Sequence, residues 1–241
     1  MCTVSFIARK NGYALAMNRD EKLARAPGLP PKLITMRGQK ILCPSELGGG
    51  TWIALNGSGA TFALINWYSV TRRVRSEIVS RGEVVKQAST AGDVEEAAGV
   101  LSRLPLEHIN PFRLIAVFPT TKQIFEWRWD LRRLIRQRHP WRAQQWISSG
   151  FDEPAAQRIR SATFRKACRP ASFGSTSWLR RLHRSHVPHE GPFSTCMHRN
   201  DAATVSYTEV LVSSNTGIMR YCSEAPCRGK PSVKGSLGIA R

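Results

Sequence analysis

Apolar and polar residues alternate along much of the first seventy positions, as expected for β-strands whose two faces differ. Two pairs of such segments are separated by short turns. Residues 3–9 and 13–19 flank Asn11-Gly12, and residues 51–55 and 60–67 flank the tetrapeptide NGSG. An Asn-Gly pair between alternating segments is the strongest short-range hairpin signal. We therefore predict two β-hairpins in this part of the chain.

The rest of the chain mixes helical and strand patterns. Asp93 and Asp152 stand where they can cap helices over residues 94–104 and 152–168. Strands are predicted at residues 112–118, 124–129 and 203–212. Paired strands with few helices favour an α+β fold over a parallel βαβ array. The proline-rich stretch APGLPPK is expected to be a loop, and the tail after about residue 225 is expected to fray.

Length and composition fit a single large globular domain or two small ones, and we predict one domain over residues 1–241. The chain has 241 residues and is 41% hydrophobic, which is enough for a sizeable core. No apolar run approaches the ~20 residues of a membrane span. The N-terminus lacks the basic and apolar regions of an export signal, so we expect a cytoplasmic protein with reduced thiols.

The charge is strongly basic and uneven. The net charge is +19, with 15 Lys and Arg against 9 Asp and Glu in residues 1–120, and 21 against 8 in residues 121–241. Such a surface attracts nucleic acid, anionic lipid or acidic small molecules. No helix-turn-helix, zinc-finger or RNP pattern is present, so nucleic-acid binding is not favoured. We expect a small-molecule partner, and the charge hints at an acidic one.

The first predicted hairpin brings a cysteine near a charged cluster. A two-residue turn at Asn11-Gly12 would place Cys2 opposite Glu21 and diagonal to Arg19. Apolar residues then collect on the face that ends in these three residues, with Asp20 on the other face. The pattern therefore predicts a thiol at the edge of the core, beside a guanidinium.

This arrangement suits a nucleophile that carries its own base. Aminopeptidases generally remove Met1 before a small residue, which would expose Cys2 as the N-terminus. Its α-amine, with a pKa near ~7.7–8.0, can then accept the proton of its own thiol, with a pKa near ~8.5. Arg19 is expected to lower the pKa of the thiol. The alternative is that Cys2 is a small core residue and that residues 19–21 form a surface ion cluster.

Some of the remaining cysteines lie near histidine or another cysteine in the sequence. The chain has six cysteines but no CxxC pair. Cys196-x-His198 and Cys222-x4-Cys227 invite a metal-site interpretation, yet the spacing fits no standard zinc pattern. We therefore expect idle thiols and no metal, and we expect His198 to be structural and not catalytic.

Several motifs together resemble the NRDE family, also called the transport and Golgi organisation 2 family. They are MCTVSFI at the start, NRDE at 18–21, GGTWIALNGSGATFALIN at 49–66 and SRGE at 80–83. Two later segments, SSGFDEPAAQRIR and STCMHRNDAATVSYTEV, resemble bacterial members. The resemblance runs from Cys2 to about Cys227.

The resemblance implies an N-terminal-nucleophile hydrolase fold, a four-layer α-β-β-α sandwich of two antiparallel sheets. Similarity to bile-salt hydrolases and penicillin V acylases further implies that Cys2 is the nucleophile. Arg19 and Asp20 would orient the thiolate and the α-amine, and Asn66 would donate to the oxyanion. In those acylases two residues separate the Arg from the Asp, whereas here Arg19 and Asp20 are adjacent, so Glu21 is an alternative to Asp20.

The predicted function is an N-terminal-cysteine amidohydrolase that cleaves a small acyl-amide through a thioester on Cys2, with no cofactor. Asn18, Glu21 and Trp67, which adjoin the catalytic candidates in sequence, are predicted to bind substrate, although Trp67 also suits the core. The alternative is a non-enzymatic carrier of haem or an acyl or lipid ligand, as the eukaryotic relatives suggest. In that case Cys2, or His198 with Cys196, would be an iron ligand.

Overall fold

The strands form two antiparallel sheets. The computed structural model describes residues 2–169, 171–229 and 232–240. In these ranges there are thirteen strands: β1 (Cys2–Arg9), β2 (Gly12–Lys22), β3 (Leu29–Met36), β4 (Gln39–Ser45), β5 (Ile53–Asn56), β6 (Thr61–Asn66), β7 (Phe112–Phe118), β8 (Gln123–Trp129), β9 (Leu134–His139), β10 (Gln144–Ser148), β11 (Ala202–Val212), β12 (Thr216–Cys222) and β13 (Val233–Gly238). The first sheet has the order β10-β1-β2-β11-β12-β13, and the second runs from β3 to β9 in sequence order.

Four α-helices of the described residues cover the outer faces of these sheets. They are α1 (Arg81–Ala88), α2 (Val94–Ser102), α3 (Glu153–Ala167) and α4 (Thr176–Arg184). α1 and α2 pack on the second sheet, and α3 and α4 pack on the first. A third apolar cluster lies between the two sheets. This confirms the predicted four-layer α-β-β-α sandwich. No helix in the described ranges is both long and apolar enough to cross a bilayer.

Both faces of β1 and β2 are buried along most of their length, which accounts for Ile7, a large apolar residue on the otherwise polar face of β1. Phe6 and Leu15 face the other sheet, and Ile7 faces the helices, where it joins a cluster with Trp178 and Leu179 of α4. Ile7 is therefore a core residue on the helix side. Helix–sheet packing on one face and sheet–sheet packing on the other fix this hairpin in place.

The first hairpin forms, but the predicted register is wrong by two residues. Arg9 pairs with Gly12, so the turn lies at residues 10 and 11, and Cys2 faces Arg19 where Glu21 was expected. Gly12 has φ +142°, and a Cβ there would lie 2.0 Å from the Val212 carbonyl oxygen. The glycine is thus required by the close approach of β11 and not by the turn. A shift of two keeps every residue on its predicted face.

Most other predicted elements are confirmed. Asp93 caps α2 through hydrogen bonds from the amides of Glu95 and Glu96, and Asp152 caps α3 through the amide of Ala155. The proline-rich stretch expected to be a loop contributes to β3, an edge strand, where a missing N–H is tolerated. The described part of the tail expected to fray forms β13, which pairs with β12.

Candidate active site

A cavity of about 230 Å³ opens where β1 begins, at the margin between the two sheets. Cys2 lines it together with residues from both sheets and from the start of α1. The wall includes Cys2, Arg19, Asp20, Glu21, Arg25, Glu46, Thr51, Trp52, Leu64, Asn66, Ser80, Arg81, Gly82 and Asn110. The fold therefore brings together all four predicted catalytic residues and Glu21.

Cys2 is held by both neighbouring strands. It faces Arg19 of β2 and Ser148 of β10, and its backbone N–H donates to Ser148 Oγ at 3.1 Å. Burial raises the pKa of the Cys2 thiol above its ordinary value, and this outweighs the opposite influence of Arg19. The direction is opposite to the predicted one, because desolvation disfavours the thiolate more than one guanidinium favours it.

Arg19 is fixed between a carboxylate and an aromatic ring. Its Nη2 lies 2.6 Å from Glu46 Oε1 and 3.6 Å from Glu21 Oε2. The guanidinium carbon is 4.4 Å from the centroid of Trp52. Arg19 is only 4% exposed, so the guanidinium does not point into bulk water. Trp52 belongs to the core between the sheets, and it also positions this cation and lines the cavity.

Asp20 and Glu21 make different contacts. Asp20 is fully buried, and its carboxylate accepts hydrogen bonds from Thr204 Oγ1 at 2.6 Å and Arg160 Nη1 at 3.3 Å. Glu21 pairs with Arg25 at 3.0 Å. Burial alone would raise the pKa of Glu21, but a hydrogen bond from a backbone amide and the nearby cations bring that pKa below its ordinary value. Glu21 is therefore ionised in the cavity wall.

The structure brings Asn66 to the site but not Trp67. Asn66 lies at the end of β6 and lines the cavity, and its Nδ2 donates to the Tyr68 hydroxyl at 2.9 Å. Trp67 lines a different cavity of about 460 Å³, together with Arg113 and Arg128. Successive residues of a strand end point to opposite sides, which separates the two.

Asn18 also lies away from the cavity wall. It is fully buried on the helix side of β2, where its Nδ2 donates to the carbonyls of His183 and Thr195 at 3.0 and 2.8 Å. Its Oδ1 lies 3.0 Å from His183 Nδ1, and the other ring nitrogen lies 3.0 Å from Ser5 Oγ. Asn18 thus ties β2 to α4 and to the segment that follows it.

The buried His183 predicts a specific pH dependence of stability. Burial, and secondly Arg160, lower the pKa of His183 to about 3, from roughly 6.5 in an unfolded chain. The unfolded state therefore binds a proton that the folded state rejects, and stability falls as the pH drops from 6.5 towards 3. We expect His183 to lower the free energy of unfolding by about 2 kcal/mol between pH 6.5 and pH 5. Urea unfolding of wild type and His183→Gln would measure it, and equal pH slopes in the two proteins would contradict it.

Three site residues were not predicted from the sequence. Ser148 holds the Cys2 nitrogen, and Arg160 of α3, itself fully buried, bonds Thr3 and Asp20. Arg81 lines the cavity and donates to the Pro111 carbonyl at 3.4 Å. All three lie in segments that resemble the family, SSGFDEPAAQRIR and SRGE. Nothing local marks them as neighbours of Cys2, because each reaches it through tertiary packing.

Solved structures show where this architecture recurs. A conjugated bile acid hydrolase from Clostridium perfringens, studied as a cysteine-to-alanine mutant, is 11% identical with a TM-score of 0.58, covering 98% of this chain and 92% of that one. Penicillin V acylase from Agrobacterium tumefaciens is 11% identical with a TM-score of 0.57, covering 99% and 86%. At this identity the likeness shows the fold alone. No curated protein matches the sequence.

The family is shown by sequence. The family model "Transport and Golgi organisation 2" matches residues 1–128, more than half of the chain. This segment carries β1 to β7 and all but the last residue of β8, with Cys2, Arg19, Asp20 and Asn66. The chain belongs to the transport and Golgi organisation 2 family, and it has the α+β sandwich fold of N-terminal-nucleophile hydrolases.

Proposed function

We propose that the protein is an N-terminal-cysteine hydrolase that cleaves the carbon–nitrogen bond of a small acyl-amide. The observation that carries the proposal is the shared cavity, whose wall includes Cys2, Arg19 and Asn66. Its volume of about 230 Å³ is somewhat below the ~300–1,000 Å³ typical of small-molecule sites, so it suits a small substrate group. The similar solved structures are, by name, a hydrolase and an acylase.

In the proposed reaction, removal of Met1 turns the Cys2 nitrogen into a free amine. As the sulfur attacks the carbonyl carbon, the amine accepts the thiol proton directly, so a thiol with a raised pKa can react without a free thiolate. Asn66 Nδ2 is the candidate donor to the resulting oxyanion, a contact worth ~2.7–4 kcal/mol in comparable sites. The Ser148 hydroxyl, 3.1 Å from the Cys2 nitrogen, would orient the amine.

The second half of the reaction uses the same proton carrier. The ammonium of Cys2 gives its proton to the leaving amine, the C–N bond breaks, and a thioester remains on the sulfur. Water then gives a proton to the α-amine and attacks the thioester carbon. The C–S bond breaks, the sulfur regains its proton from the ammonium, and a carboxylic acid leaves. Arg19 positions the sulfur throughout.

Arg81 supports an acidic substrate. Arg19 and Arg25 are paired with Glu21 and Glu46, whereas Arg81 has no carboxylate within 4.0 Å in the described ranges. Burial lowers the pKa of Arg81, although arginine stays protonated at neutral pH. A half-buried cation without an anion is well suited to a substrate carboxylate, which it can bind in a bidentate manner.

The experiment that tests this function combines intact mass with two acyl probes. We expect the native protein to lack Met1 and to be acylated at Cys2. Of two thiol-reactive acyl esters matched in length, one ending in a carboxylate and one in a carboxamide, the carboxylate should react faster. Retention of Met1 together with an unreactive Cys2 would refute the hydrolase. A Soret shift on adding haem to such a protein would favour the carrier suggested by the sequence.

A further inference from the structure

Four potential metal ligands converge outside the catalytic cavity. His186, Cys196, His198 and Cys227 each offer one ligand atom, and these four atoms all lie within 4.8 Å of one another. The sequence suggested Cys196 and His198 with Cys222 and Cys227, and the spacing argued against a metal. In the structure Cys222 lies elsewhere, in the apolar cluster under α4, and His186 takes its place.

The distances match those of a tetrahedral zinc site. His198 Nε2 lies 3.6 Å from Cys196 Sγ and 3.4 Å from Cys227 Sγ. With Zn–S near ~2.3 Å and Zn–N near ~2.0–2.1 Å, tetrahedral angles place sulfur and nitrogen about 3.5–3.6 Å apart. The two measured separations are close to this value. A set of two thiolates and two imidazoles in tetrahedral geometry is typical of structural zinc.

A carboxylate lies near both histidines. Glu190 is 3.8 Å from His186 Nδ1 and 4.0 Å from His198 Nδ1, and the Nε2 of His198 faces the two sulfurs. A carboxylate beside the outer ring nitrogen is the common support of a zinc-bound imidazole. His186 Nε2 is buried and has no hydrogen-bond partner in the described part of the chain. A ligand on this nitrogen would satisfy it.

We propose that His186, Cys196, His198 and Cys227 bind one zinc ion. Zinc binds cysteine as the thiolate, so a bound ion would hold Cys196 and Cys227 without their protons. The site closes a loop of the chain, because three ligands lie in the segment 185–201 and the fourth lies in the 3-10 turn Pro226–Arg228. The role that follows is structural, since four protein ligands leave no open position.

Segment 185–201, which holds three of the four proposed ligands, supports the layer beneath the catalytic cavity. Its carbonyls at Pro192 and Thr195 accept hydrogen bonds from Arg160 and Asn18. The backbone N–H of Met197 donates to Thr204 Oγ1, the hydroxyl that also donates to Asp20. Segment 185–201 contains no helix or strand of its own, so a metal would supply the order that regular hydrogen bonding does not.

Metal analysis of the untagged protein tests the proposal. We expect close to one zinc per chain by inductively coupled plasma mass spectrometry, released when a mercurial reagent blocks the thiols. Apo-protein refilled with Co²⁺ should show the visible absorption of tetrahedral cobalt–thiolate. Cys227→Ser should lose most of the zinc, whereas Cys168→Ser, which changes a thiol outside the cluster, should keep it.

Three results would overturn the proposal. The first is that wild-type protein contains no zinc after purification from cells grown in zinc-supplemented medium. The second is a cobalt spectrum that lacks thiolate bands, and the third is a disulfide between Cys196 and Cys227 in the native protein. Because the zinc content and cobalt spectrum of wild type are measured directly, the test stands even where a variant fails to fold. None of these readouts depends on whether the protein is a hydrolase.

Discussion

Replacing Cys2 with alanine is expected to reduce the rate of acyl-probe labelling by about 10³-fold or more, the loss typical of a missing nucleophile. Alanine, like cysteine, is small enough to permit removal of Met1, so the variant keeps the α-amine and loses only the sulfur. The cavity and the Arg19–Glu46 pair should be unchanged. Mass spectrometry of the labelled N-terminal peptide and the time course of ester hydrolysis would measure the effect.

Cys43→Ala is the matched control for this variant. Cys2 and Cys43 are both 7% exposed, but Cys43 lies in β4 and packs in the cluster beneath α1 and α2. Its replacement should leave labelling unchanged. If Cys2→Ala reacted as fast as wild type, or if Cys43→Ala lost the reaction to the same extent, Cys2 would not be the nucleophile.

The second large effect concerns the buried ion pair behind the site. Arg160→Met is expected to destabilise the protein by about 3–5 kcal/mol, because it removes the guanidinium that pairs with the buried Asp20 carboxylate. Both side chains of the pair are 0% exposed, so water cannot compensate. The loss also removes the hydrogen bonds to Thr3 and to the Pro192 carbonyl. Urea unfolding followed by tryptophan fluorescence would measure it.

Arg158→Met provides the control for helix α3. Arg158 is exposed and lies two residues away on the same helix, so its substitution is expected to change stability by less than about 0.5 kcal/mol. Adding Asp20→Asn to Arg160→Met should cost less than the two separate changes together, because the buried negative charge is then gone. Equal stability of Arg158→Met and Arg160→Met would contradict the assignment.

The sequence predicted the elements of the first hairpin but not their alignment. Gly12 was assigned to the turn because Asn-Gly is a local hairpin signal, whereas its role is set by Val212, two hundred residues further along. Alternation gave the correct faces, since both registers preserve them. Alternation could not predict that Cys2 pairs directly with Arg19. The observed register places the two residues opposite each other, where a diagonal arrangement was predicted.

Only the part of the candidate site that lies on the first hairpin and in the recognised motifs was predicted from the sequence. Cys2, Arg19 and Asn66 lie on β1, β2 and β6, which the pattern located. Ser148 and Arg160 reach Cys2 and Asp20 across 146 and 140 residues of sequence, and no periodicity encodes such contacts. The convergence of His186 with Cys196, His198 and Cys227 was not predicted for a similar reason, because standard zinc spacing assumes that two close pairs supply the ligands.

The position of β1 between β2 and β10 has a consequence for biosynthesis. Under the proposed function, the reactive terminus is exposed as soon as the first residues leave the ribosome and Met1 is cut. Its second neighbouring strand, ending at Ser148, is made only after more than half of the chain has been translated. A nascent or truncated protein would therefore have Cys2 as its N-terminal residue but no hydrolytic activity. Activity would begin only when β10 pairs with β1.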